Sequence, residues 1–293
     1  MDVEHVGASI RELRKALGLT QKELADQICT QAQISKIEKG QVLPSVEIMY
    51  RLAKRLGVDL HYFFGVMETP RLDYVNEVIF QIRQAIRFRD YRQVWEILMR
   101  EESNPLFQSK PNKQFILWHK GICLYHLYED QEQALEVLSS ALSHTETTER
   151  NYSEREIEIM VSIGVIHFAE KQFERATEVL LDANKRLGRL PSLQDRTIKL
   201  RILYNLAKSL TSSGKYQESL AFCDQGINLC ITYEVLYLFG ELHYQKGRNL
   251  AYLGRLAEAA EQYEKSIMIF TLQKKDMFIP YVEEDLRQFG VKL

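Results

Sequence analysis

Residues 10–60 read IRELRKALGLTQKELADQICTQAQISKIEKGQVLPSVEIMYRLAKRLGVDL, and the order of apolar, capping and stopping residues in this stretch decides the fold of the N-terminal part of the chain. Ile10, Leu13 and Leu17 recur at helical spacing, which places them on one face of a first helix, and Gly18 supplies its stop. Thr20 offers a hydroxyl to the open amides of a second helix, and Glu23 completes a capping box. That helix is expected from about Gln21 to Ile28. After a break at Cys29 and Thr30, a third helix turns Ile34 and Ile37 inward while Gln31, Gln33, Ser35 and Lys36 face elsewhere, and Gly40 ends it. Pro44 and Ser45 open a fourth helix, in which Ile48, Leu52, Ala53 and Leu56 form a buried stripe before Gly57.

Two short helices joined by a tight turn and braced by apolar neighbours make a helix-turn-helix, whose second member enters the major groove of DNA. The third helix carries the polar side chains for that task. Glutamine can bond bidentately to the N6 and N7 edge of adenine, and Lys36 can reach either guanine or phosphate. Thr20, Gln21 and Thr30 stand at helix starts, where open amides and the positive end of the helix dipole favour phosphate. The pattern LxxxLGLTQKELAxxI, then QISKIEKGxxxPS, then LAKRLGV is similar to the Xre/Cro/C1-type repressor helix-turn-helix. This resemblance implies DNA contacts by Gln21, Thr30, Gln31, Gln33 and Lys36, and a core of Leu24, Ala25, Ile34 and Ile37.

Charge supports this only modestly. The full chain carries 38 Lys and Arg against 40 Asp and Glu, a formal net charge of -2. Residues 1–65 are within about one charge of neutral and no basic tail exists, so counterion release gives one copy little affinity for DNA. Tight binding to an operator therefore calls for a homodimer on two half-sites. The first residues contain acids and lack an apolar run, and no stretch approaches the roughly eighteen apolar residues of a membrane span, so a cytoplasmic protein without a membrane partner is expected. Cys29, Cys123, Cys223 and Cys230 show neither CxxC spacing nor a disulfide framework and are expected as packing residues.

With 293 residues, 45% of them hydrophobic, the chain can hold two domains. Val66, Met67, Glu68, Thr69, Pro70 and Arg71 interrupt the periodic pattern, which places a DNA-binding domain at 1–65, a linker at 66–73 and a second domain at 74–293. Strand signals are sparse, so the second domain is expected to be helical. It also repeats itself. Aligning RQAIRFRDYRQVWEIL, YHLYEDQEQALEVLSSAL, HFAEKQFERATEVLLDA, KSLTSSGKYQESLAFCDQG and LAYLGRLAEAAEQYEKS superposes Val94, Ala134, Ala176, Ser219 and Ala259, at separations of 40, 42, 43 and 40 residues. Twelve residues earlier stand Ile82, Ile122, Gly164, Ala207 and Gly247, and four later stand Leu98, Leu138, Leu180, Cys223 and Tyr263. Small residues let paired helices approach, and larger ones fill the groove between them.

This resembles the tetratricopeptide helix-turn-helix repeat, with a longer period than usual. The resemblance implies an all-α protein: a helix-turn-helix domain followed by a right-handed superhelix of five degenerate repeats, whose first helices form a concave wall. Inward-facing positions of that pattern fall on Lys120, Ser162, Asn205, Lys208, Gln245 and Arg248, with Arg201, Tyr204, Glu241 and Tyr244 nearby. Amide side chains there can satisfy the unpaired backbone of an extended peptide, and the cations can hold a carboxylate.

The combination is similar to the peptide-responsive quorum-sensing regulators of Gram-positive bacteria, the group of PlcR, NprR, PrgX, Rgg and the Rap phosphatases, with the PlcR-like branch nearest through segments such as YNLAKSL, YQESL and ELHYQKGRNL. It implies a transcriptional regulator whose operator binding answers to a short signalling peptide. Two alternatives stay open: a peptide-independent repressor whose repeats bind another protein, and a regulator acting in a response-regulator phosphatase pathway. No catalytic, metal or cofactor role is expected, because the histidines are scattered without HExxH spacing and no GxxxxGK[ST], GxGxxG or GxSxG motif is present.

Overall fold

The computed structural model describes residues 3–68, 71–145 and 152–292, and every regular element among them is helical. They divide into two compact units, 1–123 and 124–293. The first begins with α1 (Val3–Ala16), α2 (Gln21–Ala25), α3 (Gln31–Glu38), α4 (Val46–Leu56) and α5 (Leu60–Glu68). Capping explains the starts. Thr20 Oγ1 accepts from the Glu23 amide and the Glu23 carboxylate accepts from the Thr20 amide, while Thr30 and Ser45 cap α3 and α4 through the amides of Gln33 and Ile48.

These five helices enclose Val6, Ile10, Leu24, Ala25, Ile34, Ile37, Met49, Leu52, Ala53, Leu56, Phe63 and Met67. The expected stripe on α4 is present, with Met49 buried and Ile48 half-buried beside it. Leu17 departs from expectation: α1 stops at Ala16, so Leu17 leaves the helical face and is 53% exposed. The α1–α3 contact depends on Gly7. A Cβ there would stand 2.1 Å from the backbone oxygen of Ile37.

The stretch expected as a linker continues α5 through residue 68, and α6 (Leu72–Arg87) opens at its end; residues 69 and 70, including the boundary proline Pro70, lie outside the described residues. Next come α7 (Tyr91–Glu101), a short 3-10 turn at Pro105–Phe107, and α8 (Lys110–Tyr128), which runs into the second unit. That unit continues with α9 (Gln131–Thr145), α10 (Glu154–Ala169), α11 (Phe173–Leu187), α12 (Thr197–Ser212), α13 (Tyr216–Thr232), α14 (Phe239–Tyr252), α15 (Leu256–Leu272) and α16 (Ile279–Phe289). Helices α10 and α11, α12 and α13, and α14 and α15 pack as pairs.

The repeat columns are visible in the packing. Val94, Ala134, Ala176, Ser219 and Ala259 are all fully buried. A Cβ on Gly164 would meet the Leu180 side chain at 2.8 Å, and one on Gly247 would meet the Tyr263 ring at 2.9 Å, so the small and large columns touch across these two pairs. One member is out of register: Ile122 is half-buried, and the buried small residue on α8 is its neighbour Gly121.

The turn within each helix pair places one residue in the left-handed region, five positions before the small residue: Arg89, Glu129, Lys171, Gly214 and Gly254. Each turn is closed by the next amide, as when Gln172 donates to His167 O at 2.8 Å and Arg255 to Leu250 O at 2.9 Å. Three of the five are not glycine, at a cost of about 1–2 kcal/mol each. Cys123, Cys223 and Cys230 are buried, which pushes each thiol up to about 12, so they pack rather than react. Cys29 is half-buried.

Candidate functional site

The helix-turn-helix presents α3 to solvent along one face. Ile34, Ile37 and Glu38 point inward, which by helical rotation centres the outward face on Ala32 and Lys36, with Lys39 a turn further on. Gln31, Ala32, Lys36 and Lys39 are exposed, whereas Gln33 and Ser35 are half-buried on its flanks. Ala32 and Lys39 were not among the expected readers. The rotation of the apolar positions contained that signal, although alanine has no polar group to mark it; a small methyl at this place is able to meet a thymine methyl.

The residues expected on phosphate are differently disposed. Thr20 is exposed, but its hydroxyl donates to Glu23 Oε2 at 2.7 Å and its amide donates to the same oxygen at 2.7 Å. Hydrogen bonds from the Thr20 backbone and side chain hold the Glu23 carboxyl below its ordinary range, so an anion already sits at the start of α2. Thr30 is exposed and α3 has no acid in its first turn. Gln21 is half-buried, and its amide donates to Glu38 Oε2 at 2.9 Å.

Glu38 joins three helices. Arg14 on α1 donates to it from Nε at 2.5 Å and from Nη2 at 3.0 Å, and Arg14 Nη1 also reaches Leu19 O at 2.7 Å. Burial pushes the Glu38 carboxyl up, but the bonds from Arg14 and Gln21 outweigh it and leave its pKa lowered. Gln21 therefore braces the helix-turn-helix from within. This role was missed because it depends on a carboxylate seventeen residues away.

In the second unit the first helices of successive pairs touch in order, α10 to α12, α12 to α14, and α14 to α16. This row carries nine of the ten residues expected on a peptide. On α12, Arg201 Nη2 donates to Glu158 Oε1 at 2.7 Å and lies 3.3 Å from Asp195 Oδ2. Burial works against the Arg201 charge, and Glu158, Tyr237 and Asp195 more than offset it. Asn205 is half-buried and its amide donates to Arg201 O at 2.8 Å. Lys208 lies 4.4 Å from the centre of the Phe168 ring and 5.5 Å from that of Tyr204. On α10, Ser162 Oγ donates to Glu158 O.

On α14, Glu241 pairs with Lys275 at 3.0 Å and Arg248 with Asp285 of α16 at 2.9 Å, while Tyr244 lies beneath the Arg248 guanidinium at 5.6 Å. Burial raises the Asp285 pKa against the opposing pull of Arg248. Gln245 corrects an expectation. It is only 3% exposed and its amide donates to Thr211 Oγ1 at 2.5 Å, because it shares its helix face with Asn249, which is wholly buried. Asn249 donates to Ser219 Oγ at 2.8 Å and accepts from Thr211 at 2.7 Å, so this amide pair belongs to a polar core between α12, α13 and α14. Lys120, in the first unit, pairs with Glu102 at 2.6 Å. The acids Glu158, Asp195 and Asp285 that hold the cations had no sequence signal, since each lies outside the repeat columns.

Among the described residues, no three His, Cys, Asp or Glu are grouped to hold a metal ion, and no helix is long and apolar enough to cross a membrane.

Comparison with known proteins gives the same order of a helix-turn-helix followed by a second helical domain. Residues 10–63 match a helix-turn-helix family and residues 79–289 match the RNPP family C-terminal domain. A 49-residue segment is 49% identical to an uncharacterized HTH-type transcriptional regulator of Methanothermobacter thermautotrophicus, covering 16% of this chain and 71% of that protein. The fold resembles Bacillus thuringiensis PlcR in complex with the peptide PapR7 and DNA, with a TM-score of 0.87 at 24% identity over 95% of this chain and 99% of that one. It also resembles ComR from S. thermophilus in complex with DNA and its signalling peptide ComS, with a TM-score of 0.64 at 16% identity over 97% and 99% of the two chains. The chain belongs to the RNPP family, with a helix-turn-helix domain preceding the family's C-terminal domain.

Proposed function

We propose that this chain is a cytoplasmic, homodimeric transcriptional regulator whose binding to an operator is controlled by a short signalling peptide held on the row of helices α10, α12 and α14. Residues 1–65 read DNA through α3, and residues 74–293 bind the peptide and join the two copies. The observation that carries this is the state of the wall. Its cations hold acids that lie on other segments, Arg201 with Glu158 and Asp195, and Arg248 with Asp285. A peptide that competes for those cations changes how successive helix pairs are tied together. RNPP membership and the likeness to PlcR and ComR, each described with DNA and a peptide, support the same reading.

The mechanism is a population shift: the peptide favours one arrangement of the helix pairs, and that arrangement sets the spacing of two reading heads. A tenfold change needs only about 1.4 kcal/mol of differential affinity. In the test, a duplex is selected from a random library with the full-length protein, and its affinity is measured by fluorescence anisotropy with and without a library of short synthetic peptides. At least one peptide is expected to change the affinity tenfold, and Asn205→Ala is expected to blunt that change. A protein that selects DNA yet responds to no peptide is a peptide-independent regulator.

A further inference from the structure

We infer that Arg55 is a positioning residue for DNA reading: from α4 it grips the carbonyls that end α2 and thereby sets how α3 is presented. This rests on the reading of α3 as the DNA-reading helix.

The need for such a grip begins with the length of α2. A helix of five residues leaves most of its carbonyls without an intrahelical partner. Among the described residues, no backbone amide reaches the oxygens of Glu23, Leu24, Asp26 or Gln27. The turn that follows is also strained, since Gln27 has φ +54 without being glycine. Such a turn keeps one geometry only when its surroundings impose it.

Two arginines one helical turn apart on α4 impose it. Arg55 Nη1 donates to Glu23 O at 3.0 Å, Leu24 O at 3.3 Å and Asp26 O at 2.5 Å. Arg51 Nη1 donates to Gln27 O at 3.3 Å, while its Nη2 holds Glu47 at 2.7 Å. Together they take up all four open carbonyls. A cation is also suited to the negative end of a helix. The platform is rigid, because Leu52, Ala53 and Leu56 on the same helix are buried in the domain core.

Thr30, the cap of α3, follows Gln27 by three residues, so the direction in which α3 leaves the turn is set where the arginines hold it. The planar guanidinium supplies fixed donors, whereas a lysine ammonium supplies the charge without that geometry. Arg55→Lys therefore separates geometry from charge.

The experiment compares full-length wild type, Arg55→Lys and Arg55→Gln on the duplex selected above and on a scrambled duplex, each across a salt series. Hydrogen–deuterium exchange is followed in the same samples. Arg55→Lys is expected to weaken binding to the selected duplex about tenfold, while scrambled-duplex affinity and the salt slope stay constant. Amides of residues 26–31 are expected to exchange faster, with those of Val6 to Ile10 unchanged as a control for folding. An equal loss on both duplexes, with a salt slope shallower by about one, would make Arg55 a direct phosphate contact and overturn the proposal. Unchanged selectivity and exchange would also overturn it. If wild type selects no duplex, the DNA-reading function fails, and exchange in the variants alone then decides whether Arg55 holds the turn.

Discussion

The outward face of α3 and the wall formed by α10, α12 and α14 are both polar surfaces, yet their side chains are held in different ways. On α3, Gln31, Ala32 and Lys36 are exposed, and the bracing lies behind them, in Arg14, Gln21 and Glu38. On the wall, the candidate contacts are themselves part of the bracing: Arg201 holds Glu158 and Asp195, Arg248 holds Asp285, and Glu241 holds Lys275. A surface of the first kind can meet its ligand without changing its own packing. One of the second kind gives up internal ion pairs when it binds, which couples occupancy to the arrangement of the helices.

The largest test of this contrast is Gly7→Ala. The added Cβ collides with backbone rather than with a flexible side chain, and the reading head should lose about 3 kcal/mol or more. Hydrogen exchange should show α1 to α3 opening while α10 to α15 keep their protection; equal loosening of both would mean that the two regions do not fold independently. Next in size is a pair of asparagines. Asn249→Ala removes a fully buried amide that serves Thr211 and Ser219, for an expected loss of about 2–4 kcal/mol in denaturant melts. Asn205→Ala removes a half-buried amide that donates to Arg201 O of its own helix, and should cost less than about 1 kcal/mol while weakening the peptide response. Equal losses would place both amides in the core and remove Asn205 from the wall.

The smallest expected effect is the response to acid, and its sign differs between the regions. The Glu38 pKa is lowered in the folded protein, so its contribution is present above the unfolded value and disappears as pH falls through the folded one. The Asp285 pKa is raised by burial, so its ionisation costs stability above the folded value and that cost is relieved as pH falls. Acidification from neutral pH should therefore lower the exchange protection of α1 and α3, taken relative to the intrinsic rate at each pH, without the same loss where α14 meets α16. A larger loss of protection around Asp285 than around Glu38 would reverse the assignment.

How much was legible in the sequence varied along the chain for physical reasons. Around α2 and α3 the determinants are local: Thr20 and Glu23 are three residues apart, and Ile34 and Ile37 share a face, so period and capping suffice. The repeats were legible through their columns, because Leu180 over Gly164 and Tyr263 over Gly247 are steric pairs that recur at fixed spacing. The turns within the pairs were legible in position, since helices begin at Tyr91, Phe173, Tyr216 and Leu256, but their backbone was not, because Arg89, Glu129 and Lys171 adopt a conformation more often marked by glycine. Gln245 and Gln21 show the remaining limit: both are polar residues at positions that read as surface, and both are turned toward buried partners.

By itself, then, the chain's order of residues determined an all-helical protein with a DNA-reading motif ahead of paired helices, because capping, helical period and small-residue columns act within one or two turns. Only the tertiary structure decided which polar side chains face outward and which are spent inside. Gln21 meets Glu38, Gln245 meets Thr211, and Arg55 meets the end of α2 across separations of 17, 34 and about 30 residues. A hydrogen bond forms where donor and acceptor are brought together in space, and no local pattern records which distant backbone or side chain will arrive there.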